Sequence, residues 1–236
     1  TLVDLDGDDR PDVLHRIHTN RETRYGFFRT KPAAAGAESG PSHQPATTAL
    51  FLSGFQLDPD LVDLDGEGLK DLVVTSMQVN APNMMGALTS GRVTAETRAF
   101  LNRWRDGKGR YFDAKPDAVV KSQVGVKVQF NYAGNIEVIR SFTILLDGDF
   151  DGDGRKDLAI RTGPDELTIH PGVAGEAGVW ADAKSARTVK IPPKGVHPDI
   201  DGYTADVDGD GKDEIVLVYR RGLGGEDRVR IVDPGF

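Results

Sequence analysis

Cysteine is absent from the 236 residues, so no disulfide stabilises the chain and no thiolate is available to bind a metal or attack a substrate. This absence does not speak against export. No run of about 18 apolar residues occurs, so no segment is expected to cross a membrane as a helix. Asn-x-Ser/Thr acceptors are also missing, which favours a bacterial source. Nucleophile elbows, His-Glu-x-x-His pairs and phosphate-cradling glycine loops do not occur, which removes the common sequence signatures of an enzyme.

What is present points to turns. There are 28 glycines and 13 prolines, with 38% hydrophobic residues, enough for a core built from short strands. An all-β chain is therefore expected. The net charge of -8 argues against nucleic acid as a partner. Sixteen of the 37 acidic residues stand at repeated positions of four loops, and the remaining 21 acids are set against the chain's 29 Lys and Arg. The acidity is local, and four divalent cations would neutralise the chain.

The loops run over residues 4–12, 63–71, 149–157 and 206–214, and each reads Asp-x-Asp-Gly-[Asp/Glu]-x-x-x-[Asp/Glu]. Their starts lie 59, 86 and 57 residues apart, which implies units of about 58 residues and an insertion in the long gap, placed at 79–97. That stretch holds Pro82, Met84 and Met85, with a helix-compatible segment at Thr94–Thr97. Short β-branched runs flank every loop: Leu2-Val3 and Val13-Leu14, Leu61-Val62 and Leu72–Val74, Phe142–Leu146 and Leu158–Ile160, Tyr203–Ala205 and Ile215–Val218. Further strands are expected at Tyr25–Phe28, Phe100–Trp104, Val124–Phe130, Leu167–His170 and Val229–Val232, giving about four per unit. Pro32–Thr48, rich in Ala, Gly, Ser and Pro, reads as a loop. Thr1–Asp4 reads as the inside of a strand, so the chain is expected to be a fragment or a processed piece.

The loop chemistry fits calcium. Glycines let the backbone wrap so that side chains at positions 1, 3 and 5 converge. Position 7 offers a backbone carbonyl (Arg10, Leu69, Arg155, Lys212), and position 9 returns a carboxylate. About six or seven oxygens result, a set that suits the large, flexible shell of calcium better than the tight octahedron of magnesium. No His or Cys lies in any loop, which disfavours zinc and copper. Two carboxylates about 4 Å apart repel by roughly 4 kcal/mol at an effective dielectric of 20, so a cation relieves a real cost. An EF-hand would need an acid at position 12, where His15, Val74, Ile160 and Leu217 stand instead.

At these residues the chain resembles the FG-GAP/VCBS repeat family, the calcium-loop blades of integrin α-subunit propellers and of many bacterial secreted proteins. With Tyr25-Gly26-Phe27 as its only trace of the Phe-Gly signature, it is closer to the bacterial branch. The resemblance implies that residues 1–236 form one β-propeller region of about four blades, part of a larger propeller or closed with fewer blades, with calcium held between the first two strands of a blade. Carried over position by position, it implies up to four calcium ions. Their ligands would be Asp4, Asp6, Asp8 and Asp12; Asp63, Asp65, Glu67 and Asp71; Asp149, Asp151, Asp153 and Asp157; and Asp206, Asp208, Asp210 and Glu214. Three residues depart from the pattern: Asp9 replaces Gly at position 6, Glu67 is one methylene longer at position 5, and Glu214 replaces Asp at position 9. The third loop fits best. A non-enzymatic, calcium-binding protein outside the cytoplasm follows: extracellular, on the cell surface or periplasmic. It would serve adhesion, ligand display or structure, with a protein or carbohydrate ligand on a propeller face. The rival readings are a polysaccharide lyase or hydrolase on the same scaffold, and a passive scaffold domain of a larger protein.

The remaining candidates have ordinary explanations. His15 and His18 stand three apart on a strand and so point to opposite faces. His43 lies with Ser42 in the Ala/Pro-rich stretch, and His170 and His197 are expected to be ordinary surface or packed histidines. Trp104 and Trp180 are expected to pack, Arg103, Arg105 and Arg110 to surround a solvated hairpin at Asp106-Gly107, and Asp199 and Asp201 to support the entry to the fourth loop.

Overall fold

The structure is a computed structural model. It describes residues 1–19, 22–31, 42–78, 80–104, 110–130, 136–140, 143–163, 165–174, 179–181, 184–191, 199–220 and 226–236. Among them the fold is all-β, with one short helix and four antiparallel sheets.

The first sheet runs in the order β1 (Leu2–Val3), β2 (Asp12–His18), β3 (Glu22–Lys31), β4 (Ser42–Ser53). The second contains β5 (Phe55–Gln56), β6 (Asp60–Val62), β7 (Asp71–Met77), β8 (Arg92–Phe100), β9 (Ala118–Phe130) and β10 (Ile136–Arg140). Its order is β10-β9-β8-β7-β5, and β6 also pairs with β7. The third is β11 (Ile144–Leu145), β12 (Leu158–Gly163), β13 (Glu166–His170), β14 (Arg187–Lys190). The fourth is β15 (Asp199–Ala205), β16 (Glu214–Arg220), β17 (Arg228–Val232). Four strands of the six-stranded sheet, β7 to β10, lie in the 86-residue gap.

Each acidic loop joins two adjacent antiparallel strands: β1 to β2, β6 to β7, β11 to β12 and β15 to β16. In three of these hairpins the position-9 acid pairs with the residue just before position 1, as Val3↔Asp12, Val62↔Asp71 and Ala205↔Glu214. In the third, the ladder ends at Leu145↔Ala159.

Three sequence expectations are corrected. The segment Thr94–Thr97 is not helical but lies inside β8, where Val93, Ala95 and Thr97 alternate inward, as a β-branched segment with one buried face does. The helix of this region is α1 (Ala81–Ser90). The side chain of Asn80 caps it by accepting the Asn83 N–H at 3.0 Å, Pro82 sits in its first turn, and Gly91 ends it at φ 64°. The strand expected at Phe100–Trp104 stops at Phe100. The next two backbone N–H groups leave the ladder: Leu101 donates to Asp117 Oδ2 at 2.8 Å and Asn102 to Asp71 Oδ1 at 2.7 Å. Of the loop expected at Pro32–Thr48, residues 42–48 belong to β4, and the rest lies outside the described residues. Pro45 is accommodated because β4 is an edge strand and the register shifts between Gly26 and Phe28, beside the Phe28↔Pro45 pair.

The chain divides into two compact units. One comprises residues 1–63, 67–78 and 97–119, with a core of Leu5, Leu14, Tyr25, Phe27, Leu50, Leu72, Phe100, Tyr111 and Phe112. The other comprises 64–66, 79–96 and 120–236, with a core of Leu145, Phe150, Ala159, Leu167, Ile169, Ile191, Ile215, Leu217 and Tyr219.

Candidate metal centres

The position-1 carboxylate winds each loop. Asp149 Oδ1 accepts the N–H groups of Gly152 at 2.8 Å and Asp153 at 3.1 Å, and its Oδ2 accepts that of Gly154 at 2.8 Å. Asp4 does the same for Gly7, Asp8 and Asp9. Asp206 takes Gly209 and Gly211, and Asp63 takes Gly68. One short acid thus collects the donors of a backbone that curls around it. The curl needs a left-handed residue at position 6: Gly68, Gly154 and Gly211 have φ 89°, 84° and 90°. Asp9 takes that conformation at φ 61°, the one non-glycine residue with positive φ among those described.

Position 5 caps the next turn. The Oδ1 of Asp8, Asp153 and Asp210 accepts the N–H of Arg10, Arg155 and Lys212 at 3.0, 2.9 and 2.9 Å. Position 9 closes the base from within the protein. Asp12 and Asp157 are both 0% exposed. Asp157 Oδ2 accepts the Phe150 N–H at 2.8 Å and its Oδ1 the Gly172 N–H at 2.6 Å. Glu214 Oε2 accepts the Val207 N–H at 2.7 Å, so its extra methylene still reaches the position-2 amide. Position 2 is the apolar anchor: Leu5, Leu64 and Phe150 are buried, whereas Val207 is exposed.

Carboxylate oxygens converge in all four loops, in two patterns. Asp4, Asp6 and Asp8, and likewise Asp206, Asp208 and Asp210, each offer an oxygen within 4.8 Å of the others. In the second and third loops the groups are Asp63, Asp65 and Asp71, and Asp149, Asp151 and Asp157. Glu67, Asp153, Asp12 and Glu214 stand outside these groups. Arg10, Leu69, Arg155 and Lys212, expected to offer carbonyl oxygens, stand at position 7 of their loops and outside the carboxylate groups. A cation with ligands at about 2.4 Å holds its oxygens no more than about 4.8 Å apart, so each group is close enough for one cation to reach all three acids.

Burial acts on these acids. It pushes Asp157 up to about 6; the Gly172 and Phe150 N–H groups pull the other way, and Asp151 and Asp149 add to the rise. Asp151 is raised too, chiefly by burial. Asp6 is raised by burial against the opposing pull of Arg29. Its side chain is 1% exposed; Oδ2 pairs with Arg29 Nε, while Oδ1 is buried and accepts no hydrogen bond.

Compared with protein-family models and with curated proteins, the chain matches none. The assignment of these loops therefore rests on their chemistry.

Four residues that serve the loops carried no signal in the sequence. Arg29 pairs with Asp6 and stacks over the Trp104 ring at 5.1 Å. The Tyr111 hydroxyl donates to Asp12 Oδ2 at 3.1 Å, and burial raises that phenol well above its usual value. Asn102 Nδ2 donates to the carbonyls of Leu5 at 2.7 Å and Lys70 at 3.1 Å. Asp213 Oδ2 accepts the Asp149 N–H at 2.8 Å while its own N–H donates to the Asp149 carbonyl at 2.8 Å, a two-way clasp between the third and fourth loops. All four reach their loops from distant sequence or from a position outside the repeated acids.

Of the histidines, two lie on β2, one on β13 and one on β4, where a loop was expected. His15 and His18 share β2, are exposed, and sit against Phe28 and Thr23. His170 is buried with Nδ1 at 3.2 Å from the Ala181 carbonyl. His43, with Ser42, belongs to β4. His197, Arg105 and Asp106-Gly107 lie outside the described residues. Trp180 is packed, its Nε1 donating to the Lys156 carbonyl at 3.2 Å, and Trp104 packs against the first core. Arg103 pairs with Asp117, Arg110 with Asp113 at 3.4 Å, and Asp201 with Arg220.

Proposed function

We propose that the four acidic loops are calcium sites and that the chain is a calcium-stabilised, non-enzymatic module of propeller blades of the FG-GAP/VCBS kind. The observation that carries this reading is Asp6 Oδ1. A buried carboxylate oxygen without a hydrogen-bond donor is costly, and Asp6 belongs to a group whose other members, Asp4 and Asp8, also present oxygens. A divalent ion satisfies all three together. Calcium would supply a fixed positive charge. The chain's residues would do the rest: positions 1, 3, 5 and 9 would donate carboxylate oxygens, position 7 a carbonyl, and the position-1 acid would hold the curl. Metal binding is then folding free energy for each hairpin.

The propeller reading is supported by four antiparallel sheets, each entered through an acidic loop at the same strand junction. Sites of this kind bind calcium at about 10⁻⁴ to 10⁻³ M, which suits a protein working outside the cytoplasm. Adhesion, ligand display or surface structure, through a protein or carbohydrate on a propeller face, follows from analogy of fold.

Calorimetric titration of EDTA-stripped protein, with thermal melts alongside, tests the proposal. Saturable binding that ends at four ions is expected, with Asp151→Ala removing one of them. At tenfold excess over its Kd, each occupied site adds about 1.4 kcal/mol, so the melting temperature rises. Absence of saturable binding and of any melting shift sinks the reading.

A further inference from the structure

The four loops differ in what stands beside them. In the first, a cation is already there: Arg29, on β3, pairs through Nε with Asp6 and brings its terminal nitrogen within 3.7 Å of Asp8. Trp104 holds the guanidinium in place from behind, 5.1 Å from its ring. At the base of the same loop Asp12 already has three donors, from Leu5 N–H, Tyr111 O–H and Thr30 N–H. In the third loop the corresponding Asp157 has two backbone donors, and the arginine of that loop, Arg155, pairs with Asp153 at the rim at 3.2 Å. The first loop's charge is thus partly met from inside the protein, yet Asp6 Oδ1 remains buried without a donor.

We propose that Arg29 is a built-in competitor for the ion of the first loop, which makes this site weaker than the third and later to fill. The inference rests on the calcium reading above. A planar guanidinium fits a carboxylate well but cannot reach every oxygen that faces a spherical ion. It therefore takes Asp6 Oδ2 and leaves Oδ1 unsatisfied. For calcium to enter, it must work against a charge of its own sign and displace part of the Asp6 ion pair. Charge-assisted hydrogen bonds of this kind are among the stronger ones in proteins, so the penalty on affinity is about tenfold or more. Weakness here has a use. As calcium falls, the first loop empties while the third stays loaded, and Arg29 neutralises it in place of the ion.

The two tryptophans allow the loops to be read separately. Trp104 stands against Arg29, and Trp180 donates to the carbonyl of Lys156 in the third loop. A Trp180→Phe protein therefore reports the first loop, and a Trp104→Phe protein the third. Both are titrated with terbium(III), with calcium as competitor, by sensitised emission. The expected midpoint is about tenfold higher at the Trp104 reporter than at the Trp180 reporter. Arg29→Met, introduced into both, should bring the first midpoint to within about threefold of the third and leave the third unmoved, which also shows that the fold is retained. Equal midpoints with Arg29 present, or a first-loop midpoint unchanged by Arg29→Met, overturn the proposal. Emission at neither reporter defeats the calcium reading itself, and this inference with it.

Discussion

At Asp157 two effects oppose each other. Burial favours the neutral acid, while the N–H groups of Phe150 and Gly172 favour the carboxylate, and burial wins, lifting the group to about 6. The metal-free folded protein therefore holds this proton more tightly than the unfolded chain, whose carboxyl titrates near 3.8. The stability contributed by Asp157 is complete below that ordinary value and is lost as pH rises through about 6. Denaturant unfolding in EDTA should show this fall, and Asp157→Asn should flatten it. The same substitution should cost about 1–3 kcal/mol, because an amide NH₂ would face one of the two backbone donors. An unchanged slope in the variant assigns the titration elsewhere. With calcium the sign reverses: ion and proton compete, so affinity at the third loop declines as pH drops below about 6. The residue scale is also where the sequence was most readable. The acids repeat, and Asp9, which replaces the glycine of the other loops, takes the same left-handed conformation as they do. The partners Arg29, Tyr111 and Asp213 were not readable, because nothing local in a sequence records which distant side chain arrives at a loop.

Among elements, the strands beside each loop could be read because β-branched runs meet a turn of fixed length, and the observed hairpins follow that pattern. Errors arose where a backbone group changes partner. Phe100–Trp104 looks like a strand, yet its donors turn to Asp117 and Asp71 after Phe100. Thr94–Thr97 has a composition that permits a helix, but burial of alternate residues settles it as strand. Ser42–Ser53 was hidden by Pro45, which is acceptable on an edge. Asn102 marks the importance of the first of these places. It is 3% exposed and its amide serves two carbonyls, those of Leu5 and Lys70, one from each of two acidic loops. Asn102→Ala removes this donor from the buried Leu5 carbonyl and the part-buried Lys70 carbonyl, and a loss of about 2–3 kcal/mol in urea unfolding is expected. A loss below about 0.5 kcal/mol, the size of an ordinary surface change, would show that the strand end does not depend on this amide.

Across the whole molecule, charge and architecture share one cause. The chain carries -8, concentrated at sixteen repeated acids, and its four sheets are each entered through one of the loops that hold them. Composition alone gave the all-β class, since glycine and proline in these numbers punctuate short strands. The size of the second sheet was less visible, because an 86-residue gap with no third acid repeat can be divided in more than one way. Position 7 of the loops has a further consequence. The carbonyl proposed to face the ion is also the carbonyl of a bond that trypsin cuts: Arg155–Lys156 in the third loop and Lys212–Asp213 in the fourth. Both residues are held in the curl by the acid two positions before them. A protease must straighten its substrate, so an ion on that oxygen shields the bond it belongs to. Arg10 precedes Pro11 and resists in any case. Trypsin in EDTA should therefore nick first after Arg155 and Lys212, and calcium should slow both cuts by about tenfold or more. Equal rates with and without calcium would mean that neither carbonyl is a ligand. A protein built this way would be durable where calcium is plentiful and quickly degraded where it is scarce, so its lifetime would be set by the medium around it.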